Sequence, residues 1–363
     1  MTTSKAHNAI IYDNPGSLSL KCVQVKTPKP GPGQVLVRLS HTGLCHSDYA
    51  VMTNGWSWLP DLPGKDQVGG HEGVGRVVEI GATLPGNTVL WKVGDRVGIK
   101  WLSSACLHCL ACMSSLEGSC LHPTVSGYNT PGTLQEYVLA PAYYVTPIPQ
   151  GVSPEVAAPL LCGGLTVYSA FQKVQAKHGE WVVVSGAGGG LGHLACEIGS
   201  RALGFRILGI DTSEKEQFVR DCGAQEFLSV GDEALIEKVR QITGGGAALV
   251  MVCTGANAAY AQALDFLRFH GILMAIGLPE RDQQLPIQSA NPNKLITQQL
   301  TIMSSSVGNR KEAMEVLDLA ARGIIKPKIF VHKPNEVAAV FSKMTHGQLL
   351  GRAVITLDSE AWA

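Results

Sequence analysis

Two short runs carry side chains that suit a transition-metal dication. One is Cys45-His46-Ser47-Asp48, the other Gly69-Gly70-His71-Glu72-Gly73. A thiolate with an imidazole is a ligand pair that suits zinc. A catalytic zinc takes three protein ligands and keeps a fourth position open. Cys162, in Leu161-Cys162-Gly163-Gly164, is the candidate third ligand. Two thiolates cancel the charge of the dication, and a neutral His71 leaves the open position able to bind an alkoxide. Three neighbours extend the set. Ser47 presents a hydroxyl that could accept a substrate proton and pass it on. Glu72 could tune the metal or transiently replace a ligand, and Asp48 could orient His71 through its ring N–H. Each also has a plainer reading: Cys162 as a small buried hydrophobe, Ser47 as a turn residue, Glu72 as a charged loop residue.

A second cluster follows at Cys106, Cys109, Cys112 and Cys120, spaced C-x2-C-x2-C-x7-C. Four thiolates this close can complete a tetrahedral shell with no place left for substrate, which makes this a structural zinc site. The alternative is a pair of local disulfides or free thiols. His108, inside the run, reads as a solvated loop residue.

Further on, Val182-Val183-Val184-Ser185 is a short continuous apolar run, as expected of a buried parallel strand. Gly186-Ala187-Gly188-Gly189-Gly190-Leu191-Gly192 follows at once, and Leu194, Ala195 and Ile198 continue at helical spacing. Strand, glycine-rich turn and helix are the context of a dinucleotide fingerprint. Glycines let the backbone approach phosphates, and the helix N-terminus presents free N–H groups. A second strand, 206–210, ends at Asp211, 19 residues past Gly192, close to the spacing of a ribose-binding acid. A carboxylate there accepts from both ribose hydroxyls of NAD and repels the extra phosphate of NADP. Thr212 and Ser213 add no arginine to receive that phosphate. The plainer reading is a tight turn that packs a helix on a sheet.

The elements that must hold these groups fall into two kinds. Residues 1–150 hold many short strand candidates, among them 34–40, 73–80 and 95–100. In the first, Val35, Val37 and Leu39 lie on one face and Leu36, Arg38 and Ser40 on the other. From Trp181 onward, strands at 182–185, 206–210, 248–252 and 272–276 alternate with helical stretches such as 257–267, the pattern of a doubly wound parallel sheet. Cys162 opens a helical pattern, 309–322 reads as a helix and 352–357 as a strand. Trp56, Trp58 and Trp101 read as core, or as pocket walls that narrow it toward small substrates.

At 363 residues the chain has room for about two domains. Apolar residues make up 45% and charged residues 16%, an ordinary globular balance. The 29 basic and 29 acidic residues cancel, with no stripe for nucleic acid and no charge run for a membrane surface. The N-terminal stretch lacks the apolar core of a signal peptide, and no segment has the apolar length of a membrane span, so a cytoplasmic location is expected.

Together these residues resemble the zinc-dependent medium-chain alcohol dehydrogenase family. The matching features are Gly43-x-Cys45-His46-Ser47-Asp48, Gly70-His71-Glu72-Gly73-x-Gly75, the four-cysteine run, Cys162-Gly163-Gly164-x-Thr166, and the loop Gly186–Gly192 with Asp211. The similarity spans essentially the whole chain. It is closest to the fungal, tetrameric branch, as in Gly98-Ile99-Lys100-Trp101 and Val307-Gly308-Asn309-Arg310. The resemblance implies an α/β protein with a GroES-like β-rich catalytic domain at 1–160, a Rossmann NAD-binding domain at 161–304 and a return to the catalytic domain at 305–363, with a cleft between the domains. It implies two zinc ions per chain, NAD and a homotetramer. His46 and Arg352 would face the cofactor pyrophosphate, Thr166 would sit by the nicotinamide, and Lys215 near the adenosine ribose. Val307 joins the cofactor contacts, as do Gly186, Gly189, Gly190 and Gly192.

The activity implied is reversible hydride transfer between a primary or secondary alcohol, or its carbonyl product, and NAD. Two other readings stand beside it: a pathway-specific reductase of a bulkier aldehyde or ketone, and a non-catalytic remnant that binds cofactor only. One departure bears on the choice. Family members of this branch that oxidise ethanol well carry a histidine three residues after the serine or threonine, as the outer end of a proton relay. Here that position is Ala50. The stretch 50–65 also differs in length and content. Histidine at position 50 is expected to speed turnover at neutral pH.

Overall fold

The computed structural model describes residues 6–62, 64–82, 91–280 and 285–362. Residues 1–5, part of the N-terminal stretch considered above, lie outside these. The chain divides into two units, one made of Met1–Leu165, Asn309–Ala321 and Ile329–Ala363, the other of Thr166–Gly308 and Arg322–Lys328. The boundaries therefore fall at 165 and 308, where the sequence division has 160 and 304, and Cys162 belongs to the first unit.

The first unit is built on a seven-stranded sheet. Its order is Thr146–Pro147, Arg96–Ile99, Glu72–Ile80, Gln34–Leu44, Arg352–Thr356 and Ile329–His332, with Tyr137–Pro141 also paired to Gln34–Leu44. The central strand is rich in β-branched and aliphatic residues, which suit a pleated, packed surface. Val35, Val37 and Leu39 enter the core with Val77, Val97, Ile99 and Ile355. Leu36, read as facing the other way, is buried too, because this strand is covered on both faces. Register places the site. Gly43 stands opposite Glu72, and Leu44 opposite Ala353, so the ends of three strands meet where Cys45 begins.

The second unit is a six-stranded parallel sheet in the order Glu226–Ser229, Arg206–Asp211, Trp181–Ser185, Ala247–Val252, Leu267–Ala275, Thr301–Ser304. Within this unit that is strand order 3-2-1-4-5-6, the doubly wound arrangement that binds dinucleotides. All five residues of Trp181–Ser185 are buried, as a strand covered on both faces requires. The stretch read as one helix over 257–267 is shorter: Asn257–Ala263 is α-helical, Leu264–Phe266 is a single tight turn, and a strand already begins at Leu267. Among the described residues no helix is long and apolar enough to cross a membrane.

Candidate active site

Cys45 ends the central strand in an extended conformation, and the helix His46–Met52 starts on it. The Asp48 carboxylate reaches back, and its Oδ2 accepts the Cys45 N–H at 3.0 Å. Its other oxygen, Oδ1, lies 2.7 Å from His71 Nδ1. That bond commits Nδ1 and leaves Nε2 for a metal. Nε2 lies 3.2 Å from Cys162 Sγ. Cys162 is delivered by a wide π-helical turn, Leu160–Gly164, rather than by the α-helix its spacing predicts. One donor atom each from Cys45, His71, Glu72 and Cys162 lies within 4.8 Å of the others, and all four residues are buried. The three residues expected to ligate a catalytic metal therefore come together, with Glu72 beside them.

Glu72 is fully buried and pairs through Oε1 with the Arg352 guanidinium. Its Oε2 has no hydrogen-bond partner. The seat exists because residue 43 is glycine: a Cβ there would stand 1.9 Å from Glu72 Oε2. Burial lifts the Glu72 carboxyl to about 7 despite the opposing pull of Arg352. Burial likewise works against the charge on Arg352, but Glu72 and the two cysteines more than offset it and hold the guanidinium protonated. The cysteines titrate as a pair. A hydrogen bond from Cys162 holds the Cys45 thiol well below its usual value, and the same contact pushes the Cys162 thiol up. Burial disfavours a charged His71, yet the Asp48 carboxylate outweighs it and raises the imidazole. Two crowded sulfurs, an imidazole and a carboxylate oxygen with no partner form a donor set that fits zinc, and a dication would discharge protons from it on binding.

Ser47 Oγ lies 3.5 Å from Cys45 Sγ, inside the same cluster. Trp101 meets the His71 ring edge-on at 4.9 Å, Trp56 meets Trp101 at 6.3 Å, and Trp58 stacks on Trp56 at 5.4 Å. Trp56 is buried, whereas Trp58 is more than half exposed. His46 lies beside the Tyr49 ring. Ala50 is packed away, and the Gly55 N–H donates to its carbonyl at 2.7 Å. A histidine there must push aside the residues that pack Ala50. Ala50→His is expected to lower stability by about 1–3 kcal/mol, seen as a drop in Tm, whatever it does for kcat at neutral pH; an unchanged Tm would show that the site opens without cost.

Cys106, Cys109, Cys112 and Cys120 also converge, with their sulfurs within 4.8 Å of one another. None of the ten cysteines is disulfide-bonded, so the disulfide alternative does not hold. Backbone N–H groups of Cys109 and His122 donate to Cys106 and Cys120 sulfurs at 3.3 and 3.4 Å. Backbone hydrogen bonds, chiefly from Leu121, bring the Cys109 thiol to about 6. His108 is exposed and its Nδ1 bonds the Cys106 carbonyl, outside the sulfur shell. Glu117, inside this lobe, is a functional-looking residue that sequence reading passed over. It is buried, accepts the Tyr144 hydroxyl at 2.9 Å and pairs with Arg310.

In the second unit the loop 186–192 joins strand Trp181–Ser185 to helix Gly192–Glu197. Gly186 adopts a φ of 78°, and a Cβ on Gly192 would sit 2.0 Å from the Gly186 carbonyl oxygen. Asp211 closes the loop: Oδ2 accepts the Gly188 N–H at 2.8 Å, and Oδ1 lies 3.0 Å from Lys215 Nζ. Gly189 and Gly190 are partly exposed on the loop. Thr166 is buried in the helix Leu165–Gln172, and Val307 is half-buried after the last strand. Arg352, expected to face a pyrophosphate, is 4% exposed and engaged by Glu72 in the first unit.

Comparison with known proteins agrees with this geometry. The family model for the alcohol dehydrogenase GroES-like domain matches residues 31–150, and that for zinc-binding dehydrogenases matches residues 190–322. Alcohol dehydrogenase 2 of Emericella nidulans is 47% identical over 363 residues, covering 98% of each chain. The alcohol dehydrogenase of Schizosaccharomyces pombe is 37% identical over 352 residues, covering 96% of this chain and 97% of its own. Among solved structures, acetophenone reductase from Geotrichum candidum in complex with NAD is 26% identical with a TM-score of 0.82, covering 98% of both chains. With matching domains in order, a paired relative along nearly its whole length and two clusters of zinc-type donors, the chain belongs to the zinc-dependent medium-chain alcohol dehydrogenase family.

Proposed function

We propose that this alcohol dehydrogenase interconverts a primary or secondary alcohol and its carbonyl, with NAD as redox partner, at the site formed by Cys45, His71 and Cys162. The observation that carries the assignment is the convergence of those three side chains, with Glu72, within 4.8 Å of one another. Zinc, when bound, makes an alcohol proton easier to release, and NAD, when bound, takes up hydride. The protein does the rest. Asp48 bonds the ring of His71, and Ser47, 3.5 Å from the Cys45 sulfur, would receive the proton. Arg352 holds Glu72 as a reserve anion next to the ligands. The lobe of four cysteines takes the second zinc as a structural ion.

Asp211 carries the cofactor choice. Its carboxylate at the end of the second strand suits two ribose hydroxyls, with Lys215 alongside. Removing its charge in Asp211→Asn is expected to lower kcat/KM for NAD by about 10–100-fold, the loss of roughly 1.5–3 kcal/mol of charge-assisted hydrogen bonding, while NADP loses far less. Initial rates with both cofactors check this, and equal efficiency of the two cofactors in the unaltered enzyme would end the assignment.

A second reading, a reductase of a bulkier aldehyde or ketone, is favoured by one observation: Ala50 stands where a relay histidine is expected and is packed shut. The Geotrichum neighbour is an acetophenone reductase, so the fold accommodates such work. A panel from ethanol to aromatic and long-chain substrates, run with zinc stoichiometry, separates the readings; a chain that holds one zinc and makes no NADH from any alcohol would be a cofactor-binding remnant. The resemblance to the fungal branch supports a homotetramer in the cytoplasm, which sedimentation and fractionation test.

A further inference from the structure

Lys100 takes no part in the chemistry described so far, yet it is only 4% exposed. Burying an ammonium is costly unless it is well paired. Its Nζ donates to the Tyr144 carbonyl and to the Thr146 hydroxyl, both at 2.8 Å, and lies 4.6 Å from the centre of the Tyr144 ring. The Tyr144 hydroxyl in turn donates to Glu117 at 2.9 Å, and Arg310 pairs with the same carboxylate. One acid therefore balances two cations, Arg310 by contact and Lys100 through the tyrosine. Burial pulls the Lys100 ammonium down to about 7, with Glu117 opposing and Arg310 adding to the pull. An apolar side chain would fill such a place without that cost, so the lysine calls for a reason.

Its neighbour supplies one. Lys100 follows the strand Arg96–Ile99, whose last residue stands opposite Gly73, and Trp101 comes next, edge-on to the His71 ring. Two short strands, Leu102–Ser104 and Thr124–Val125, pair just beyond it, and the four cysteines lie on the loop between them. Ser126 closes the base of this stem. Its N–H donates to the Trp101 carbonyl at 2.9 Å, and its hydroxyl donates to the Lys100 carbonyl at 2.8 Å. The pair Lys100-Trp101 is thus held at its carbonyls by the stem and at its ammonium by Tyr144 and Thr146. We propose that Lys100 is a positioning residue of the candidate active site: tied to Tyr144 and Thr146, it fixes Trp101 against the ring of His71. Asp48 bonds one nitrogen of that ring, and the indole limits how the ring can tilt. Glu117 makes the cysteine lobe part of the same support. The inference rests on the zinc assignment above.

Lys100→Met keeps an unbranched apolar side chain and removes the ammonium. The full-length protein, Lys100→Met, Trp101→Leu and the double variant are loaded with zinc and titrated against a chelator of known affinity. Cobalt substitution adds the ligand-field spectrum. Lys100→Met is expected to weaken the site of Cys45, His71 and Cys162 by about tenfold, the lower end for loss of an outer partner, and to shift its cobalt bands, leaving the bands of the four-cysteine site unmoved. In the Trp101→Leu background it should change nothing further, since Lys100 acts through that ring. A lysine that serves the fold alone predicts a lower Tm with unaltered metal affinity and spectrum. That result, or a Lys100→Met effect that persists in full without the indole, overturns the inference. If Lys100→Met does not fold, Glu117→Gln decides: it withdraws the charge that balances the ammonium and should move the same bands, and unmoved bands overturn the inference. If the unaltered chain holds metal only at the four cysteines, the zinc assignment fails first and takes this inference with it.

Discussion

His71→Ala is expected to leave one zinc per chain in place of two and to cut kcat/KM by roughly three orders of magnitude, the equivalent of about 4 kcal/mol of lost charge stabilisation. The reason lies in how the site is made. His71 is the only neutral donor among four, and Asp48 commits its Nδ1 so that Nε2 serves the metal. Without it, two sulfurs and Glu72 remain, with Glu72 paired to the Arg352 guanidinium. A site so altered should bind zinc weakly and lose the geometry of its open position. The rest of the first unit should stand, because its core of Val35, Val37, Val77 and Ile355 does not include His71. Metal analysis, Tm and alcohol-dependent NADH formation read the three consequences. Full zinc content with near-normal turnover would remove Cys45, His71 and Cys162 from the chemistry.

The other large effect concerns stability. Cys112→Ser is expected to release the second zinc and lower Tm on the order of 10 °C, since a structural zinc supplies folding free energy outright. The lobe has little else to hold it. Its helix, Leu110–Met113, is four residues long and buries none of them. Leu107, Leu110, Met113, Leu116 and Leu121 are all exposed. Among the described residues of this lobe, these apolar side chains do not close the loop in the metal's place. Unfolding of the lobe would also free Glu117 and deprive the Arg310 guanidinium and the Tyr144 hydroxyl of this carboxylate. Calorimetry and thiol titration test this, and a Tm equal to that of the unaltered protein would show that the four sulfurs are incidental to the fold.

Residue type and spacing carried much of this in the sequence. The four-cysteine lobe is local, so its spacing alone defines it. The strand, glycine loop and Asp211 are likewise close together, and the structure joins them through the Gly188 N–H. Asp48 could be assigned to His71 because both lie in ligand-bearing runs. What stayed hidden depends on register and on distance along the chain. Nothing in the sequence says that Gly43 faces Glu72 or that Arg352 meets it from 280 positions away. The early start of strand Leu267–Ala275 was masked by Arg268, His270 and Gly271, which interrupt its apolar run. The π-helical turn at Cys162 has no signature of its own, because apolar residues suit a wide turn and a regular helix alike.

The pairing of Arg352 with Glu72 has a consequence for biogenesis. Ribosomes make the chain from its N-terminus, so Cys45, His71, Glu72 and Cys162 all emerge before Arg352. Until the strand Arg352–Thr356 docks beside Gln34–Leu44, the buried carboxylate lacks its cationic counterpart. A nascent chain can therefore hold every ligand and still lack the finished metal centre, whose maturation waits on a strand made well after those ligands.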